Sequence, residues 1–228
     1  MRNQFIILLL LLGFTSTAAA QQPQAKDTTE QSVLDDDGGR AFILNSKLKS
    51  LAELRRLPGA IIDSPQQYSI FLGSEWSSSP LHEREAKLST LLASVSNQRD
   101  ANKLAGVGIE DFFAATYSQE VPAIFADGEK ISDLKVRAVL ADLINSSSLP
   151  PAEPSTIYMI FLSPRLVSTL GTLTGRKHYL SYHNFYNVSG RRFHYVVIPY
   201  ESDLEAAKAI ALRALVAAAL NPTGELTN

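Results

Sequence analysis

The chain has 228 residues, no cysteine, and 21 Lys and Arg against 23 Asp and Glu, for a formal charge of −2 at neutral pH. Nucleic acid is thereby an unexpected partner, because its recognition calls for a strongly basic patch. With no thiols the fold cannot rest on disulfides.

The N-terminus reads as an export signal. Met1-Arg2 supplies a positive start, Phe5 to Phe14 an apolar run, and Ala18-Ala19-Ala20 the small residues before a cleavage point at Gln21. This run is too short to span a membrane, which takes about 20 apolar residues, so no span is expected once residues 1–20 are removed. No cysteine follows the signal to carry a lipid. An exported chain without cysteine fits a bacterial periplasmic or secreted protein.

Residues 21–40 are polar and poor in large apolar groups, which predicts a flexible leader. Within it, Asp35-Asp36-Asp37-Gly38-Gly39 resembles the start of a calcium loop, but Ser46 stands where the closing bidentate Glu is needed. A solvated charge run is the simpler reading. Residues 41–228 then form a single domain, about the usual size for one core.

An amphipathic piece is expected around Ala41 to Leu57, ended by Pro58-Gly59. Tyr68 to Leu72 predicts a strand closed by Gly73-Ser74. Ser79-Pro80 opens a helix whose Leu81, Leu88, Leu92 and Val95 share one face. A second helix is expected from Ser132 to about Ile144. The run Ile157 to Leu162 is almost wholly apolar and predicts a strand buried on both faces. Tyr179 to Tyr186 and Phe193 to Ile198 read as a hairpin across Ser189-Gly190. The last helix opens with the capping-box pattern Ser202-Asp203-Leu204-Glu205 and ends at Asn221-Pro222. The sum is an α+β domain in which helices pack on a small mixed sheet.

Five pieces occur together in order: Pro58 to Ile62, Tyr68 to Trp76, Ile157 to Pro164, Tyr182-His183-Asn184 and Leu220-Asn221-Pro222. In this the chain resembles the plant EXORDIUM (phosphate-induced) family and its bacterial relatives. The resemblance implies a metallopeptidase-like, or zincin-like, architecture. In that family the last helix carries His-Glu-x-x-Glu before Asn-Pro or Asp-Pro, similar to a zinc-binding helix. Here Arg213, Ala214 and Ala217 occupy those positions. The implied metal site is degenerate, and only His183 matches the family's Tyr-His element.

The residues themselves allow a further test. With Ser189-Gly190 as a two-residue turn, Val188 faces Arg191, Phe185 faces His194 and His183 faces Val196. His183 and His194 then share a face as diagonal neighbours, whereas His178 does not join them. Catalytic zinc needs three protein ligands, and no third is identifiable, so these are at most vestigial metal candidates. The competing reading makes both histidines strand residues bonded to backbone or Tyr hydroxyls. Tyr179, Tyr182, Phe185 and Arg191 belong to an aromatic and basic set suited to an envelope glycan or peptide, or simply to strand packing.

No Gly-x-Ser-x-Gly elbow, dinucleotide fingerprint or phosphate loop is present. These readings describe an exported, non-catalytic binding or structural protein without a cofactor. The rivals are an atypical zinc hydrolase using His183 and His194, and a glycan- or peptide-binding module. The mature protein is expected to begin at or near Gln21. Intact-mass measurement of exported material checks this, and a species retaining Met1 to Ala20 contradicts it.

Overall fold

A computed structural model describes residues 30–35, 37, 39–45, 51, 54, 59–94, 109, 113–121, 125–150, 153–188 and 191–223. The elements are β1 (Glu30–Leu34), β2 (Arg40–Leu44), β3 (Gln66–Leu72), α1 (Ser79–Ser94), β4 (Phe113–Val121), β5 (Lys130–Ile131) and α2 (Asp133–Asn145). They continue with β6 (Thr156–Leu162), β7 (Val167–Leu170), β8 (Leu173–Thr174), β9 (Ser181–Val188), β10 (Arg191–Ile198) and α3 (Leu204–Leu220). Seven strands form one sheet in the order β1-β2-β9-β10-β6-β3-β4, while β5, β7 and β8 make a small second sheet. Pairs from β1 through β10 are antiparallel, and β10, β6, β3 and β4 run parallel as neighbours. The class is therefore α+β with a mixed sheet.

All seven residues of β6 are buried, as its apolar run requires. On one face Phe71, Met159, Phe161, Val196 and Ile198 pack with Leu88 and Leu92 of α1 and with Ala207, Ala211, Ala214 and Leu215 of α3. On the other, Ile70, Leu72, Ile160, Tyr195 and Val197 pack with Val136 and Leu140 of α2. The helices start where local chemistry dictates. Ser132 caps α2 by accepting the Lys135 N–H at 3.3 Å. At α3 the cap is Asp203, which accepts from the N–H groups of Glu205 and Ala206 at 2.9 and 3.4 Å. This is one residue beyond the expected Ser202, and a carboxylate there also meets the positive end of the helix.

The sheet is larger than the sequence pattern suggests, for three reasons. β1 lies inside the span read as a leader, and β2 occupies the start of the expected amphipathic piece. Pairing makes up for weak local signals: Phe42 and Ile43 of β2 sit opposite His183 and Tyr182 of β9. β4 adds a strand beside β3 that the pattern did not indicate. The Ser189-Gly190 turn, the first twenty residues and Val95 lie outside the described residues.

The reading of Asp35 to Asp37 as a solvated run needs correction. Asp35 is buried, and its Oδ1 accepts the N–H groups of Asp37 and Gly39 at 3.0 and 2.7 Å. Its Oδ2 meets Arg137 Nη2 at 2.5 Å and accepts from Asn184 Nδ2 at 3.0 Å. The same Nη2 lies 2.6 Å from Asp133 Oδ2, while Arg137 Nε donates to the Tyr195 hydroxyl at 3.0 Å. That hydroxyl donates to Asp133 Oδ1 at 2.6 Å. Burial opposes ionisation of Asp35, yet the Asn184 amide and the Arg137 charge hold its carboxyl below the usual range. For Asp133 burial wins, pushing the carboxyl up against the Tyr195 hydrogen bond and the Arg137 charge. One guanidinium thus ties the β1–β2 turn, α2, β9 and β10 together.

Removing it strands buried carboxylates. Arg137→Met is expected to cost about 3–5 kcal/mol of stability. Asp37, whose side chain is 46 % exposed, contributes under about 1 kcal/mol to the same guanidinium. Urea unfolding of Arg137→Met and Asp37→Ala measures both, and equal losses would contradict the assignment.

Candidate functional site

The hairpin has the register that a two-residue turn dictates. Val188 pairs with Arg191, Phe185 with His194 and His183 with Val196. Alternation along β9 and β10 then divides the side chains between two faces. His183, Phe185, Arg192 and His194 fall on the α3 side, and Tyr182, Asn184, Tyr186 and Tyr195 on the α2 side.

The two histidines are buried, at 4 % exposure for His183 and 5 % for His194. His183 stacks on Phe42, with ring centroids 5.2 Å apart. His194 Nδ1 lies 3.1 Å from the Pro222 carbonyl oxygen. A carbonyl only accepts, so Nδ1 carries the proton and Nε2 keeps a lone pair. Burial pushes the His194 pKa down to about 4, and the charges of Arg192 and His183 act the same way against the Pro222 bond. Its ring is neutral at physiological pH. His178 stands apart in an exposed turn, where Nδ1 accepts the Thr174 N–H at 2.9 Å.

α3 packs its alanine-rich side into the core. Ala214 and Ala217 are buried there, and Arg213 is half-buried beside them. A glutamate in place of Ala214 would carry its carboxylate into that packed layer. Among the described residues no three or more His, Asp or Glu side chains are grouped to hold a metal.

The aromatic set does not converge on one groove. Tyr179 and Tyr182 are buried on the α2 side, with ring centroids 5.7 Å apart. The Tyr179 hydroxyl is 2.8 Å from Ser168 Oγ. Phe185 is half-buried and carries the Arg192 guanidinium 4.8 Å above its ring centre. Arg191 is exposed at the hairpin end. Of the four expected ligand contacts, only Phe185 and Arg191 keep access to solvent.

An unforeseen feature lies beside them. A cleft of about 700 Å³ is bounded by Ala60, Ile61 and Ile62, by Glu153 and Pro154, by Arg191, Arg192 and His194, and by Pro222 and Thr223. Two backbone bonds fix its walls: the Ile62 N–H donates to the Ala219 carbonyl at 2.8 Å, and the Gln66 N–H to the Ser155 carbonyl at 2.8 Å. The local signals in the sequence are Arg191-Arg192 just before His194, and the Pro58 to Ile62 and Leu220-Asn221-Pro222 pieces, none of which says that they meet. The walls come from segments far apart in the chain.

Searches of protein-family models, of curated proteins and of solved structures find no match to this chain.

The neutral His194 has a consequence for stability. Between its ordinary 6.5 and about 4, the unfolded chain binds a proton that the folded state does not. Stability therefore falls as pH is lowered through that window, by up to ~3 kcal/mol. An NMR titration is expected to show His194 unprotonated at pH 6, and unfolding measured across the window is expected to lose this slope in His194→Gln. A His194 titrating near 6.5 would contradict the assignment.

Proposed function

We propose that this is an exported, non-catalytic binding protein of the cell envelope or its surroundings, a degenerate relative of metallopeptidase-like, EXORDIUM-like proteins, and that its ligand occupies the Arg191–His194 cleft. The observation that carries the reading is the state of His194. Its Nδ1 proton is committed to the Pro222 carbonyl at 3.1 Å, and burial keeps the ring neutral. A group so held is a poor general base, because proton transfer at neutral pH favours a pKa near the working pH. At about 700 Å³ the cleft has the size typical of ligand pockets.

The degenerate-helix reading draws support from Ala214 and Ala217, which serve as core spacers where a zinc helix would present carboxylates. α3 still lies against the hairpin that bears His183 and His194, the arrangement a metal-binding helix would need. The rival, a zinc hydrolase, draws on the shared face of those two histidines. Elemental analysis separates the two. After dialysis against a mild chelator the purified protein is expected to hold far less than one zinc per chain, since two imidazoles fall short of a three-ligand site. One retained zinc per chain, lost in His183→Ala or His194→Ala, would establish the rival instead.

A further inference from the structure

The residues around the cleft narrow the chemistry of what it takes. Arg192 and His194 are two apart in β10, so they share a face with Cα atoms about 6.6 Å apart, at ~3.3 Å per residue. The Arg192 guanidinium sits 4.8 Å over the Phe185 ring centre, and a guanidinium fork offers several N–H donors to an anion. No described carboxylate pairs with Arg191 or Arg192, in contrast to Arg137 in its buried network. Next along the strand, His194 offers an acceptor: with Nδ1–H given to Pro222, Nε2 has only its lone pair. Ala60, Ile61, Ile62, Pro154 and Pro222 supply apolar walls, and Glu153 is the one carboxylate among the described lining residues.

This order of groups, guanidinium, acceptor and apolar wall, discriminates between ligand classes. A sugar-binding cleft gains much of its affinity from an exposed aromatic plane. No Phe, Tyr or Trp is among the described residues lining the cleft: Tyr179 and Tyr182 are buried on the far face, and the Arg192 guanidinium lies over the half-buried Phe185 ring. A peptide end needs what is present: donors for a carboxylate, an acceptor for a backbone N–H, and a surface for an apolar side chain.

We infer that the cleft captures the free C-terminal end of a short peptide. The terminal carboxylate lies on Arg192, a backbone N–H is donated to His194 Nε2, and an apolar side chain packs on Ile61, Ile62 and Pro154. This rests on the reading of the cleft as the ligand site.

The test uses acetylated tetrapeptides randomised at their last two positions, prepared both as free acids and as C-terminal amides, titrated into the purified protein and followed by NMR at Ile62, His194 and Thr223. Free acids are expected to bind at least about tenfold more tightly than amides, the scale of a charge-assisted hydrogen bond. Arg192→Gln, at an exposed position, is expected to abolish that preference while leaving the thermal midpoint unchanged. Equal binding of acids and amides, or a preference that survives Arg192→Gln, would overturn the inference. Shifts with envelope oligosaccharides but not with peptides would overturn the peptide assignment and leave the cleft as a ligand site. Silence of all three residues toward both sets would remove both readings.

Discussion

A strand with every residue buried needs cover on both faces, and β6 sets that demand at the centre of the sheet. α1 and α3 meet it on one side and α2 on the other. The two covers differ in kind. α3 approaches with alanines, whose small side chains let a long apolar helix lie close to β10 and β9. No helix among the described residues is long and apolar enough to cross a membrane. The apolar length of α3 is instead consumed by the sheet. Its cover ends at Asn221 and Pro222, while the hairpin continues to Arg191 and Arg192. The cleft opens in that difference of length.

Alternation in the hairpin separates two kinds of polar chemistry. Toward α2, Tyr182, Asn184 and Tyr195 surround Asp35, Asp133 and Arg137, a cluster with opposite charges within bonding distance. Removing Arg137 leaves buried Asp35 and Asp133 without their cation, so the cluster acts as a clasp for the β1–β2 hairpin. Burial and the adjacent Asp133 carboxyl also raise the Tyr182 and Tyr195 phenols far above their ordinary range, which keeps both neutral. Toward α3, the polar groups are an imidazole stacked on Phe42, a second bonded to the Pro222 carbonyl, and a guanidinium over an aromatic ring. One face uses its polar side chains on itself. Next to the cleft no carboxylate among the described residues pairs with Arg192, and that asymmetry is the basis for placing a ligand there.

Much of this was readable from residue order alone. β3, β6, α1, α2, α3 and the hairpin follow from apolar periodicity, caps and turn residues, all of which act over a few positions. The hairpin register, and with it the shared face of His183 and His194, follows from a two-residue turn and a side-chain period of two. His194 and Arg191 were accordingly legible as residues of interest.

The rest depends on partners remote in sequence. β1 and β2 have weak strand signals and form because β9 offers an edge, and Asp35 looks solvated until Arg137, 102 residues away, and Asn184, 149 away, close over it. The cleft joins segments near 60, 153, 192 and 222, and nothing in their local order says that they meet. Local order determined which strands and helices form and which side each hairpin residue takes, because propensity and alternation are short-range. Tertiary structure alone decided that Asp35 is buried, that Tyr179 and Tyr182 are hidden, and that Arg192 borders a space large enough for a ligand, because burial and cavities depend on what other parts of the chain come to cover.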